Sequence, residues 1–142
     1  MSAETQPVLL DTGVIVAWFN VRDHHHARCA ASPARLRPRL VTCEAVIVES
    51  CYLLQSIPSA VDDLLANVER GRFQIPFQLS DSAMQVKTVL TKYRDTPADF
   101  ADACLIQMAD ELNTGDILTL DSDFAHYRWR RNRSFNFLIP LG

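Results

Sequence analysis

Four acidic side chains occupy apolar parts of the sequence, where acids are unusual. Asp11 and Asp121 each follow an apolar run of strand length, and Glu49 and Asp102 interrupt apolar segments of helical length. Each acid alone is more often a helix cap or a surface residue. If the four converge, they line a pocket of the type that hard cations such as Mg²⁺ and Mn²⁺ prefer. Because no nucleophilic Ser, Cys or His motif accompanies them, the set indicates metal-assisted phosphodiester hydrolysis.

Strand-like and helix-like segments alternate along the chain, which predicts an α/β fold. We expect three α/β/α layers, with a parallel sheet of roughly five strands between helices. The predicted strands are PVLL, RLVTC, RFQIPFQL, DILTL and FNFLI, and the predicted helices cover about 12–20, 44–55, 58–71, 80–93 and 96–112. Asp11 and Asp121 then lie at the carboxyl edge of the sheet, where such folds place their sites.

The two helix acids have different structural alternatives. Nearly every residue around Glu49 in EAVIVESCYLL is apolar, so we expect a helix buried around most of its circumference and a costly carboxylate without a cation or ion pair. The alternative is a solvated stripe that contains Glu49. In TPADFADACLIQMADEL, Thr96 is the predicted N-cap, with Pro97 at the first helical position and Asp99 completing a capping box. Asp102 lies one turn further on, where capping no longer explains it.

Length and composition are those of one globular domain over residues 1–142, with residues 1–6 expected to form a disordered tail. A net charge of −3 excludes a basic field over the whole surface, so a nucleic-acid partner would need a local patch. The polar start does not resemble a secretion signal, and no charge-free run reaches membrane-spanning length. The cysteines show no C-x-x-C pair, which favours reduced thiols. We therefore expect a cytoplasmic protein that does not enter a membrane.

The order of LLDTG, an internal helix Glu, DFADACLIQMA and ILTLDSDF resembles the PIN-domain ribonucleases, a family that includes the VapC-type toxins of bacterial toxin–antitoxin pairs. The resemblance runs from Val8 to the last predicted strand. It implies a parallel five-stranded sheet between helices, Mg²⁺ (or Mn²⁺) in the acid pocket, and endonucleolytic cleavage of RNA. It also implies a homodimer and an antitoxin protein as a partner.

The resemblance assigns roles to individual residues. The family's catalytic and metal-binding acids fall on Asp11, Glu49, Asp102 and Asp121. Asp123 matches a further acid of the last loop and would join the metal ligands. Thr12 and Thr119 would orient waters or phosphate oxygens of the substrate. Gly13 is a departure, since many members carry Ser or Asn there, and it removes one contact to the substrate.

RNA binding needs positive charge, which HYRWRRNR supplies just after Asp123. Its Arg128, Arg130 and Arg131 suit phosphate contacts, and the interleaved aromatic residues suit base stacking. The alternative is a solvated basic loop with one aromatic residue in the core. ARLRPRL forms a weaker second patch. The histidines of DHHH lack zinc-site spacing, so we expect an exposed helix start there, with Asp23 as its cap.

The strongest rival function is non-catalytic. A PIN-like scaffold that binds RNA or a protein, and no longer cuts, would keep the same fold. Because all four acids are present, we favour the nuclease.

Overall fold

The computed structural model of the protein describes residues 6–32, 39–96 and 98–140. The strands are β1 (Pro7–Leu10), β2 (Arg39–Val41), β3 (Phe73–Gln74), β4 (Asp116–Leu118), β5 (Arg128–Trp129), β6 (Arg133–Ser134) and β7 (Asn136–Phe137). The helices are α1 (Thr12–Phe19), α2 (His26–Ala30), α3 (Glu44–Leu54), α4 (Ala60–Glu69), α5 (Leu79–Lys92) and α6 (Phe100–Leu112). Most of the predicted N-terminal tail and of the ARLRPRL patch lies outside these described residues.

Five strands form one parallel sheet in the order β3-β2-β1-β4-β7. Helices flank this sheet, as the predicted three-layer α/β/α fold requires, so the fold class is confirmed. The inner strands β1 and β4 are buried except at their first residues, which explains their apolar sequences. β1 pairs with β2 on one side and with β4 on the other. The strand order therefore reverses between β1 and β4, and α/β sheets open a crevice at such a switch point.

The edges of the sheet differ from the prediction. RFQIPFQL contributes only the two residues of β3, at the sheet edge, as its Pro76 favoured. The segment between DILTL and FNFLI was not predicted to contain strands. It forms a separate antiparallel β5-β6 hairpin before β7 joins the sheet. The His-rich loop leads into the short helix α2, and Asp23 accepts a hydrogen bond from the His25 backbone N–H instead of capping the helix itself.

The predicted burial of α3 around most of its circumference is wrong. Val46, Ile47, Ser50 and Leu54 face the core, whereas Val48, Tyr52 and Leu53 are 69%, 69% and 52% exposed. The buried side of α3 packs against α1, α4 and α6. Glu49 lies on the exposed stripe, so it is not desolvated in the way that the apolar sequence indicated. Among the helices of the described ranges, none has the length and apolar character needed to cross a membrane.

Candidate metal centre

Asp11 lies where β1 ends and α1 begins. Its backbone N–H donates to the carbonyl oxygen of Leu118 at 3.0 Å, which extends the β1-β4 pairing by one residue. One carboxylate oxygen, Oδ1, accepts from the Thr12 backbone N–H at 2.8 Å and caps α1. The other oxygen faces Thr119 of the neighbouring strand end. Asp11 is therefore a helix cap and also part of the crevice.

Thr119 holds two of the acids in place. Its hydroxyl donates to Asp11 Oδ2 at 2.7 Å and accepts from the Asp121 backbone N–H at 3.0 Å. The residue is fully buried and its hydroxyl is used within the protein. The predicted direct contact of Thr119 with substrate thus gives way to a positioning role, which the sequence alone did not reveal.

Thr12 is also buried, but its hydroxyl differs from that of Thr119 in its hydrogen bonding. Its side chain is 5% exposed and lines the cleft beside Asp11. Its Oγ1 has no hydrogen-bond partner in the described chain. Because buried hydroxyl groups are almost always hydrogen-bonded, this oxygen leaves a hydrogen bond available next to Asp11.

Asp102 reaches the same place from the first turn of α6. The helix begins at Phe100 and its N-cap is Asp99, so the predicted start with Thr96 as N-cap is wrong. Asp99 Oδ1 accepts from the Asp102 backbone N–H at 2.8 Å, and Asp102 Oδ2 faces the Asp99 backbone N–H at 3.4 Å. Asp102, not Asp99, is therefore the third residue of the capping box. The prediction that capping cannot account for Asp102 is also wrong.

A tyrosine that sequence reasoning missed supports Asp102. Tyr127 is fully buried, and its hydroxyl donates to Asp102 Oδ2 at 3.3 Å. Burial, and then the charge of Asp102, raises the pKa of Tyr127, so the hydroxyl stays a donor. The sequence analysis assigned the aromatic residues of HYRWRRNR to base stacking, but Tyr127 and Trp129 are both buried, so their rings are not free to stack on bases. Nothing in the spacing identified which acid Tyr127 meets.

Asp11, Asp102 and Asp121 each offer one carboxylate oxygen, and these atoms all lie within 4.8 Å of one another. A Mg²⁺ ion holds its oxygen ligands at roughly 2.1 Å, so opposite ligands of one ion are about 4.2 Å apart. The three oxygens therefore fit one hard divalent cation after small side-chain rotations. They border a cleft of about 310 Å³ whose described lining contains no Lys, Arg or His.

The electrostatics of this acid triad, Asp11, Asp102 and Asp121, also favour a cation. Burial raises the pKa of Asp11 to about 6, and the charges of Asp121 and Glu49 add to the increase. Burial likewise raises the pKa of Asp102 to about 7, with further increases from Asp99, Asp11 and Asp121. Two carboxylates that are hard to ionise in the free protein would be stabilised by a bound cation.

Two of the predicted metal ligands lie outside the triad. Glu49 lines the same cleft from the exposed side of α3, close enough to raise the pKa of Asp11. This placement suits a contact through water. Asp123 does not line the cleft, and its backbone N–H donates to Asp121 Oδ1 at 2.9 Å. Asp123 thus supports the loop that carries Asp121.

The predicted RNA-binding arginines do not border the triad. Arg128, Arg130 and Arg131 line a second groove, formed by α5, α6 and the β5-β6 hairpin. Gly13, by contrast, lines the acid cleft, and a Cβ at this position would meet only Leu120, at 3.6 Å. Packing therefore does not require glycine there.

Replacing Asp99 with Ala should reduce stability more than activity. The change removes the N-cap of α6 but none of the three clustered oxygens. We expect the free energy of unfolding to fall by about 0.5–2 kcal/mol, the usual range for a lost cap. Urea denaturation and an RNA cleavage assay with Mn²⁺ measure the two effects. A stable variant with no cleavage would instead place Asp99 among the catalytic residues.

The chain is similar to known proteins both in sequence and in fold. The PIN domain family model matches residues 8–130. Ribonuclease VapC26 of Mycobacterium tuberculosis is 26% identical over 137 residues, which cover 95% of this chain and 94% of that protein. The crystal structure of Mycobacterium tuberculosis VapC20, described as a toxin that cleaves the Sarcin-Ricin loop, superimposes with a TM-score of 0.75 at 19% identity. The match covers 84% of this chain and 93% of that chain.

Proposed function

Because the chain belongs to the PIN-domain family, we propose that it is a metal-dependent endoribonuclease that hydrolyses RNA phosphodiester bonds. The observation that carries the proposal is the convergence of three carboxylate oxygens within 4.8 Å at the switch point of the sheet. The similarity to Ribonuclease VapC26 supports the same activity.

Asp11, Asp102 and Asp121 would hold Mg²⁺ (or Mn²⁺), with Glu49 contributing through water. A cation held there would supply Lewis-acid chemistry, which activates water and polarises the scissile phosphate. The protein's own part is orientation: Thr119 fixes Asp11 and the Asp121 backbone, while the capping box and Tyr127 fix Asp102. Rigid placement of this kind keeps the ligands ready before substrate arrives.

Thr12 is the residue that we assign to the substrate itself. Thr12 lines the cleft next to Asp11, and its buried hydroxyl has no hydrogen-bond partner in the described residues. It can donate to an oxygen of the scissile phosphate or to the attacking water. Gly13 leaves space beside it, which a larger side chain would occupy in many relatives.

RNA cleavage with and without EDTA tests the proposal. We expect single-stranded RNA to be cut in the presence of Mn²⁺ or Mg²⁺, and cleavage to stop when EDTA removes the metal. Replacing Asp121 with Asn supplies the matched control for contaminating nucleases. Folded, metal-saturated protein that binds RNA without cutting it would support the non-catalytic scaffold instead.

The partners follow from the same proposal. If the protein acts in the cytoplasm as the toxin of a toxin–antitoxin pair, an antitoxin protein must restrain it, and expression without that partner should arrest growth. The exposed apolar residues Val48, Tyr52 and Leu53 on α3 offer a surface for a second copy in a homodimer. Sedimentation analysis of the wild type and of Tyr52→Ser tests the dimer.

A further inference from the structure

A second groove lies on the surface formed by α5, α6 and the β5-β6 hairpin. Its volume is about 310 Å³, and it is separate from the acid cleft, with which it shares no lining residue. Four cationic side chains line it: Lys92, Arg128, Arg130 and Arg131. Gln85 and Gln107 add amide groups. In a protein whose net charge is −3, this concentration of positive charge favours an anionic ligand.

One carboxylate, that of Asp110, lines the groove beside the four cations, so positive charge remains in excess there. The guanidinium hydrogen bonds of the groove go to carbonyl oxygens and not to this carboxylate. Arg128 Nη1 donates to the backbone carbonyls of Ala125 and Tyr127, at 2.9 Å each, and Arg130 Nη2 donates to the carbonyl of Asp110 at 3.2 Å. Carbonyl oxygens orient a guanidinium group but leave its charge intact. The groove therefore presents positioned cations to solvent, an arrangement suited to phosphate.

The hairpin that carries the arginines has an unusual turn. Arg130 and Arg131 have φ angles of 43° and 74°, a left-handed conformation that Gly and Asn adopt far more readily. Two adjacent arginines in this conformation carry a conformational cost that Gly or Asn would largely avoid. An observed backbone outlier of this type supports a functional role for the side chains that it displays.

The rest of the structure holds this turn firmly. Asp110 Oδ1 accepts from the Arg130 backbone N–H at 2.6 Å. Trp129 packs so tightly on Gly115 that a Cβ there would lie 2.1 Å from the indole nitrogen. The same nitrogen donates to the carbonyl of Ser134 at 3.1 Å. Hydrogen bonds and packing therefore fix the backbone of the hairpin that carries the arginines.

Helix α6 connects the groove to the acid triad. Asp102 belongs to the triad at its first turn, whereas Asp110 lines the groove eight residues further on. At 1.5 Å per residue this separation is about 12 Å along the helix axis. A stacked nucleic-acid strand advances roughly 3.4 Å per nucleotide, so about three to four nucleotides span it.

We infer that this groove is a second RNA-contact site, which binds backbone phosphates about three to four nucleotides from the cleaved bond. The inference rests on the proposed ribonuclease function, and it deepens that function by making cleavage dependent on RNA length. A short RNA reaches only the acid cleft, whereas a longer RNA also reaches Lys92 and Arg131. The groove would therefore lower KM for longer RNA.

The test compares a trinucleotide with a 12-nucleotide RNA that contains the same cleavable step. In the double variant Lys92→Ala/Arg131→Ala, we expect the kcat/KM advantage of the longer RNA to fall by roughly tenfold, through KM. The matched control is Arg22→Ala/Arg70→Ala, which removes the same charge from exposed positions outside the groove. An equal loss of cleavage for both RNAs in the groove variant would overturn the inference.

A binding measurement tests the groove independently of the proposed nuclease activity. Fluorescence anisotropy with labelled 12-nucleotide RNA is carried out on Asp121→Asn protein, with and without the groove substitutions. The slope of log K against log salt should become shallower by about 0.7 for each lost phosphate contact. An unchanged slope overturns the groove, even if the wild type cuts RNA. If the groove substitutions weaken binding to poly-glutamate as much as binding to RNA, the groove is a site for acidic polypeptides instead. If the substitutions change the salt slope but the wild type does not cut RNA, only the nuclease proposal is rejected.

Discussion

Replacing Asp11 with Asn is expected to abolish RNA cleavage while it stabilises the metal-free protein. Asparagine keeps the size of Asp11 and remains a good helix N-cap. It removes the charge that a hard cation needs at the centre of the triad. Since metal-ion stabilisation of the transition state is worth several kcal/mol, we expect the rate to fall roughly a thousandfold or more.

The gain in stability follows from the raised pKa. The carboxyl group of Asp11 titrates near pH 6 in the folded protein, against an ordinary value of 3.8. Its ionised form thus costs about 3 kcal/mol at neutral pH in the folded, metal-free state. The amide loses one of the two hydrogen bonds that Thr12 N–H and the Thr119 hydroxyl donate, a loss of about 1 kcal/mol. The net expected gain is about 2 kcal/mol.

Urea denaturation in EDTA and cleavage in Mn²⁺ measure both effects on the same preparations. Asp95→Asn is the matched control, since Asp95 is exposed and does not line the acid cleft. It should leave both stability and cleavage near wild type. If Asp11→Asn destabilised the metal-free protein and cut RNA at the normal rate, Asp11 would be a helix cap alone, and the proposed metal centre would lose its central ligand.

The sequence predicted the acids that follow strands better than those on helices. An acid directly after an apolar strand of a parallel sheet must lie at the carboxyl edge, so Asp11 and Asp121 could be placed by topology alone. For α6 the prediction placed the N-cap at Thr96, because Pro97 suits the first helical position and Asp99 could complete a capping box. Its N-cap is Asp99, a shift of three residues, because helix boundaries are the part of a fold that sequence patterns specify least.

The error on α3 has a different physical origin. An apolar sequence shows that a helix avoids water in its final environment, but it does not show whether the chain itself or another molecule provides the cover. In the single chain Val48, Tyr52 and Leu53 stay exposed. Likewise, the turn at Arg130 and Arg131 has no sequence signal because local preferences disfavour it. Departures of this type are expected where function has a stronger influence than stability.

Without metal, stability is expected to fall as pH rises from about 5 to about 8. Both Asp11 and Asp102 hold their protons more tightly when folded, since their pKa values rise from 3.8 to about 6 and about 7. Between the unfolded and folded pKa values, the folded state therefore binds more protons than the unfolded state. Stability must then decrease with pH in this range and level off at about pH 8, above both folded pKa values. The two groups together correspond to a loss of several kcal/mol.

Bound metal should reverse this trend. Protons compete with the cation for the same carboxylate oxygens, so metal binding strengthens as pH rises and adds RT ln(1 + [M]/Kd) to stability. Melting temperatures in EDTA and in millimolar Mn²⁺, measured from about pH 5 to about pH 8, should therefore diverge with increasing pH. In Asp11→Asn the decline in EDTA should become shallower, because only Asp102 still titrates in this range with a raised pKa. Parallel curves with and without Mn²⁺ would show that Asp11, Asp102 and Asp121 do not form a metal site.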